Sequence, residues 1–410
     1  MDTSSFDVII LGAGASGLFA GHAAAARGKS TLLIDHADNP GKKIRMAGGG
    51  KANFTNSRMG SEHYAGADPS FTRFALKAFT PAKSISLVRS AGIAIEEREQ
   101  GQIFCKTDAD ILHNFLVRRC LDAGCSMLTG QGGIKVFPLP SPGSGFVVKT
   151  KNASFTCSSL IVATGSPARP ASGASSFGLS LAKSFGHEIS TFFPALSGFI
   201  MPKNWILAGL TGINLPVNIH IHSRESSSSS QHTTSPAPIF QAAENIPLVF
   251  THKGVSGPAA LQASLYWQEK DALLINFIPN ASLLPLFEQR GSTLVKNLIR
   301  SFLPDRLAEA LVPSTLAAKK CAELSRAQRD DLCQLIHSHK IVPVATEGFT
   351  KAEVARGGVL TADIHPKTMQ SKIHPNLYFC GEVLDITGRL GGYNLHWAFA
   401  SGMMAGNAAG

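Results

Sequence analysis

The chain has 410 residues, is 44% hydrophobic and 16% charged, and carries 38 Lys+Arg against 28 Asp+Glu. Such a composition excludes disordered, fibrous, collagen-like and disulfide-framework classes, and the length allows about two to three domains. The formal charge of +10 suits an anionic partner, but opposite charges are interleaved and no basic block reaches five residues. An anionic nucleotide cofactor accounts for part of the excess equally well.

Met1 to Phe6 carries no basic, apolar signal, and the first apolar run leads straight into a glycine motif, so the chain reads as mature fold from its start. No stretch offers the roughly 18 to 20 uninterrupted apolar residues of a membrane span, and a cytoplasmic protein without membrane contact is expected. Phe6 to Leu11 predicts a strand, Gly12-Ala13-Gly14-Ala15-Ser16-Gly17 a turn, Leu18 to Arg27 an alanine-rich helix, and Ser30 to Asp35 a second strand. This order is a parallel βαβ unit. Gly12 permits the tight turn, Gly14 lets the backbone approach a pyrophosphate, and Gly17 allows the helix to pack on the sheet. The helix beginning near Ala15 and Ser16 aims free N–H groups at the phosphates. Asp35, 18 residues after Gly17, stands where an acid accepts hydrogen bonds from an adenosine ribose.

The loop from Gly41 to Asn56 follows. Gly48, Gly49 and Gly50 cost backbone entropy, and such a run marks close approach to a ligand. Lys43 and Lys51 are placed to meet the pyrophosphate or a reduced ring, while Asn53 and Thr55 supply neutral hydrogen bonds. Ser159 to Ala163 predicts a buried strand breaking at Thr164-Gly165, and Asn376 to Cys380 another breaking at Gly381. If both join the N-terminal unit, the nucleotide domain is discontinuous. Between them lie β-like runs (Leu196 to Met201, Leu215 to Ile221, Ile246 to Phe250), a polar stretch from His222 to Pro238 read as an exposed loop, and segments of helical periodicity such as Thr293 to Phe302 and Leu316 to Leu335. The expected layout is a Rossmann-like α/β domain over 1–193 and 356–410. It is interrupted by a β-rich part (194–265), a helical part (266–340) and a return strand (341–355).

The far end distinguishes FAD from NAD. Gly381, Glu382 and Asp385 follow the late strand, and Gly392, Tyr393, Asn394 and Leu395 open a small-residue helix. An acid there can bind ribityl hydroxyls, and the helix start can aim N–H groups at flavin N1 and the C2 carbonyl, where charge collects on reduction. NAD alone requires no such return.

These motifs resemble the YhiN/BaiN-like flavoproteins, known also as aminoacetone oxidase family FAD-binding enzymes. The resemblance rests on GAGASG at Gly12 to Gly17, GKKIRMAGGGKANFTN at Gly41 to Asn56 and ATGSPARP at Ala163 to Pro170. It continues in FTHKGVSGPAAL at Phe250 to Leu261, ARGGV at Ala355 to Val359 and LYFCGEVLDITGRLGGYNLHWAFASG at Leu377 to Gly402. It implies a two-dinucleotide-binding-type FAD domain interrupted by β-rich and helical subdomains, non-covalent FAD, and hydride transfer at flavin N5. Family members include oxidases of small aminoketones and enzymes that add or remove a double bond in steroid-like acids. Where the family has Arg-Cys-Asn this chain has Lys51-Ala52-Asn53, and Ala355 replaces a usual Thr, so no role of that Cys transfers.

A small-molecule substrate is the first expectation, with no nucleic acid. The alternative is an FAD-containing RNA-modifying or RNA-binding protein, disfavoured because residues 282–340 carry Lys and Arg with almost no interleaved aromatics. No second GxGxxG exists, so NAD(P)H is expected only as a transient donor. No side chain stands out as acid or base. His252 and Lys51 are the candidates, although the turn around His252 reads first as a capped turn. The pairs His220/His222 and His337/His339 lack the carboxylate or Cys company of a metal site, so no metal is expected. The seven Cys form no CxxC and read as reduced, buried thiols.

Overall fold

The structure is a computed structural model that describes residues 4–141, 143–222, 240–241 and 245–410. Beyond His222, the polar stretch expected as an exposed loop lies outside the described residues until Phe240. The chain divides into two compact units: Met1–Phe193 with Glu353–Gly410, and Pro194–Ala352.

The first unit is built on a seven-stranded sheet. Its centre is β1 (Ser4–Leu11), followed by helix α1 (Ala15–Ala25) and β2 (Thr31–Ile34). Val8, Ile9, Ile10 and Leu11 are all buried, as a parallel strand covered on both faces requires. On the other side of β1 lies β3 (Ser154–Val162), parallel and in register from Ser4↔Phe155 to Leu11↔Val162. One edge of β3 is shared: its first half pairs with the antiparallel strand Phe146–Lys149, and its last residues pair in parallel with β4 (Leu377–Phe379). A strand from each end of the sequence therefore meets in one sheet.

Helix α2 (Tyr393–Ala408) completes this meeting. A methyl on Gly402 would stand 2.2 Å from the Ser16 carbonyl oxygen, and one on Gly406 2.2 Å from that of Ala20. The two contacts advance together along both chains, so α1 and α2 run in the same direction with their backbones nearly touching. Only glycine allows that approach.

The second unit carries an eight-stranded sheet whose main path runs through the strands 339–341, 272–276, 214–222, 246–250, 254–256, 199–200 and 345–346. Leu215, Val217, Ile219 and Ile221 point to the core and alternate with more exposed residues, the signature of an antiparallel strand with one wet face. Helices Gly257–Ser264, Leu283–Gln289, Val295–Arg300, Asp305–Leu311 and Arg326–His337 supply the other half of that core through Phe287, Leu298, Leu307 and Ile336. Ser325 and Gln328 form a reciprocal cap at the start of the last helix. The strand Ala272–Asn276 lies inside the stretch read from sequence as helical, and it pairs with 218–222. Four apolar residues in a row are too few for periodicity to separate strand from helix.

Candidate functional site

The glycine turn between β1 and α1 is shaped by contacts that tolerate no side chain. A Cβ on Gly12 would lie 2.5 Å from the Ala163 carbonyl oxygen, and one on Gly17 1.8 Å from that of Gly12. Gly14 differs: a Cβ there meets nothing within 4 Å, so the backbone faces open space. Helix α1 has no side-chain cap and no acid in its first turn, which leaves its N–H groups free at that opening. Asp35 closes the turn from below. Its carboxylate accepts the Ala13 N–H at 2.6 Å and the Ala37 N–H at 2.8 Å, using two of about four acceptor positions and leaving capacity for a ribose hydroxyl. Thr164 follows the neighbouring strand, its Cα against Gly12, and its hydroxyl is buried without a hydrogen-bond partner.

Helix α2 also starts bare. Its N-cap is Gly392 at φ 94°, with no side-chain cap and no acid in the first turn. Because Gly402 abuts Ser16, the first residue of α2 lies eight helical positions ahead of that of α1, about 12 Å along the axis. Two positive helix ends thus face the same way with a step between them that a ribityl chain and its phosphate span. These features fit FAD: an uncapped helix for the pyrophosphate, an acid for the ribose, an unpartnered buried hydroxyl after the neighbouring strand, and a second uncapped helix for the pyrimidine edge of the ring.

The remaining predicted residues divide by what their side chains already hold. Gly381 sits against Ser16, its N–H donating to Ser401 Oγ at 2.9 Å while its carbonyl accepts from the Trp397 indole. Lys43 Nζ meets Glu382 Oε2 at 2.6 Å, and Glu382 Oε1 accepts the Ala355 N–H at 3.0 Å. Ala163 donates its N–H to Leu11, and Gly165 turns the chain at φ 68°. Asn53 is bonded to Gln102, and the strand carrying it and Thr55 packs on the Gly392 backbone. Several polar side chains are occupied in shaping the loop. Asn394 closes it by pairing with both the N–H and the carbonyl of Gly388 at 2.8 Å, and Asp385 accepts the Ala67 N–H at 3.0 Å. Thr55 binds His396. What Asn394 and half-buried Leu395 present to a ligand is backbone N–H. Gly49 and Lys51 are exposed, with Gly48, Gly49 and Gly50 all at positive φ. His252 is exposed in the turn between two strands of the second unit.

Other residues here were not singled out from sequence. His396 is fully buried: Nε2 lies 2.8 Å from the Phe79 carbonyl and Nδ1 2.8 Å from Thr55 Oγ1. A carbonyl only accepts, so Nε2 carries the proton and Nδ1 accepts the Thr55 hydroxyl. Burial pushes this imidazole down to about 4, so it is neutral and pins α2 to the strand carrying Thr55 and to the helix end at Phe79. His63 stacks on Tyr393, itself one of the residues named from sequence at the helix start, with ring centroids 4.7 Å apart, and the Tyr393 phenol is pushed up to about 12 by burial. Glu353 is raised by burial, against the opposing pull of Arg169 and Lys43. These residues carry no spacing signal. Only His396 lies in a run, YNLHWAF, apolar enough to suggest a buried polar group.

The Cys105 and Cys380 thiols are raised to about 11 and about 12 by burial, which keeps them protonated and inert. His337 accepts the Leu283 N–H and pairs with Asn276, and His339 packs on Phe277, so both have structural employment. Among the described residues no group of three or more His, Cys, Asp or Glu is arranged to hold a metal ion, and no helix is long and apolar enough to cross a membrane.

The profile of the HI0933-like protein Rossmann domain matches residues 6–408. The chain belongs to that family. Its relatives include the ribosomal RNA dihydrouridine synthase of Escherichia coli (strain K12), 36% identical over 403 residues and covering 97% of this chain and 96% of that protein. The enzyme of the same name from Haemophilus influenzae is 35% identical, with 96% of each chain covered. The 3-dehydro-bile acid delta(4,6)-reductase of Clostridium scindens is 29% identical, with 98% of each chain covered. The HI0933-like protein described here is an FAD-dependent oxidoreductase with a Rossmann-like α/β fold.

Proposed function

We propose that this protein reduces a carbon–carbon double bond conjugated to a carbonyl, and that its substrate is a uracil base of ribosomal RNA. The observation that carries this reading is the 36% identity across nearly the whole length of an enzyme named for dihydrouridine synthesis. The bile-acid reductase, the more distant relative, is named for the same type of chemistry on a different substrate. The reading moves the RNA alternative ahead of the small-molecule expectation, and the excess of ten positive charges supports it.

Bound FAD would supply a hydride from N5, replenished by NAD(P)H acting as a transient donor. The protein's own residues do the rest. The bare start of α2 would stabilise negative charge on a flavin ring bound at it. Lys43, held by Glu382, places a second positive charge in the same unit. In the reduction, the hydride goes to the carbon β to the carbonyl and a proton to the α carbon. Glu353, whose carboxyl burial raises above the usual carboxylate range, is a group of this unit able to hold such a proton.

The test uses the FAD-loaded protein, NADPH and a ribosomal RNA transcript free of modification. Nucleoside mass spectrometry is expected to show uridine gaining two hydrogens. Flavin that is reoxidised by steroid-like enones and never by RNA would instead establish the small-molecule reading that the bile-acid relative favours.

A further inference from the structure

We infer that one end of the sheet in the second unit is a docking surface for RNA. This rests on the ribosomal RNA reading above and names the surface that reading needs. The strand Phe199–Ile200 pairs antiparallel on one side with Gly254–Ser256, where Ile200 faces Gly254, and on the other with Ala345–Thr346, where Ile200 faces Ala345. The register forces three segments to one end: the loop leaving Ile200, the turn entering Gly254 and the chain entering Ala345. Two backbone bonds fix the arrangement, from the Met201 N–H to the Lys253 carbonyl and from the Val344 N–H to the Ile200 carbonyl, each 2.9 Å.

This end is basic and apolar. Lys203, His252 and Lys253 are exposed, Ile206 is 71% exposed and Val344 53%. Residues 199–213, 250–258 and 339–346 contain no Asp or Glu. The next acid in the chain, Glu347, bonds through its N–H to Gly198, at the opposite end of the strand. On the basic side, Arg306 donates to the Gly209 carbonyl, while the nearby Asp305 and Glu309 are both paired to Arg300. The Trp205 ring stacks on Phe250 with centroids 5.9 Å apart, which ties the middle of the loop to the strand 246–250.

Single exposed aliphatics are ordinary on a protein surface. An exposed Ile and Val inside an acid-free ring of Lys and His are a different case. Lysines neutralise phosphates and the His252 imidazole offers a face on which an unstacked base can stack, two of the contacts by which single-stranded RNA loops are held. His252, a sequence candidate for acid or base, takes a base-stacking role here.

The test compares the full-length, FAD-loaded protein with the Lys203→Glu/Lys253→Glu double variant by fluorescence anisotropy on a ribosomal RNA transcript across a salt series. The variant is expected to bind at least about tenfold more weakly, with a salt slope lower by about 2. Its melting temperature, flavin spectrum and rate of reduction by NADPH are expected to be unchanged, and Lys203→Arg/Lys253→Arg to bind as the wild type does. Equal affinity and slope in the charge-reversed variant, with wild type binding RNA, overturns the surface alone. Wild type that binds no RNA overturns the substrate reading and this surface with it. Wild-type binding to phosphatidylglycerol vesicles as tight as to RNA, lost in the same variant, overturns the assignment of RNA as the occupant.

Discussion

The two units solve recognition in opposite ways. In the first, the candidate ligand site is made of backbone: two uncapped helix starts, a glycine turn, and carboxylates such as Asp35 and Asp385 that hold N–H groups in place. In the second, the proposed surface is made of side chains standing on a sheet end that would fold equally well with other residues there. Most of a backbone site cannot be altered without disturbing the fold around it, Gly14 being the open exception, whereas a side-chain surface can. The difference teaches where substitutions separate stability from binding.

The largest effect is expected from Gly17→Ala, whose methyl would lie 1.8 Å from the Gly12 carbonyl oxygen. Helix α1 must shift off the sheet, at a cost of about 3 kcal/mol or more. Thermal melting of the apoprotein should show it, and an unchanged midpoint would refute the described packing. His396→Ala should cost about 3 kcal/mol in the same assay, because the Thr55 hydroxyl and the Phe79 carbonyl lose their shared partner inside the core.

Acid sharpens the second point. The unfolded imidazole takes up a proton near 6.5, while burial holds the folded one at about 4. The neutral ring's contribution is therefore complete above about pH 6.5 and is lost as pH falls toward 4. Chemical denaturation of wild type should weaken through that window, and of His396→Ala less so.

Gly14→Ala is the informative contrast with Gly17→Ala. Its backbone sits at φ −79° and its methyl meets nothing, so apoprotein stability should change by less than about 0.5 kcal/mol. FAD affinity should nevertheless fall about tenfold or more, since the methyl takes the space a phosphate needs. Ultrafiltration of the flavin distinguishes the outcomes, and full retention would mean the opening over Gly14 is not the pyrophosphate site. The smallest effect is expected at Ile206→Ser. Removing an aliphatic chain already 71% in water should leave the melting midpoint within about 0.5 kcal/mol of wild type.

Much of this was legible in the chain itself. The run VIIL before GAGASG, the acid at position 35 and the small-residue helix after Gly392 each follow from local rules, because phosphate binding at a helix start needs particular residues at particular spacings. The strand Ala272–Asn276 was not legible, since its four apolar residues fit two periods. Nor was it legible that Asn394 would clamp Gly388, or that Thr55 would bond His396, 341 residues away.

The sequence by itself determined the βαβ unit, its glycine turn and the joining of strands from both ends of the chain in one sheet. The tertiary structure decided how they meet: α1 and α2 run in the same direction because Gly402 and Gly406 admit the Ser16 and Ala20 carbonyls. It also decided which polar side chains are free and which are taken. Spacing along a chain encodes what neighbouring residues can do together. Whether a side chain faces a ligand or a distant backbone group depends on contacts that exist only after the chain has closed on itself.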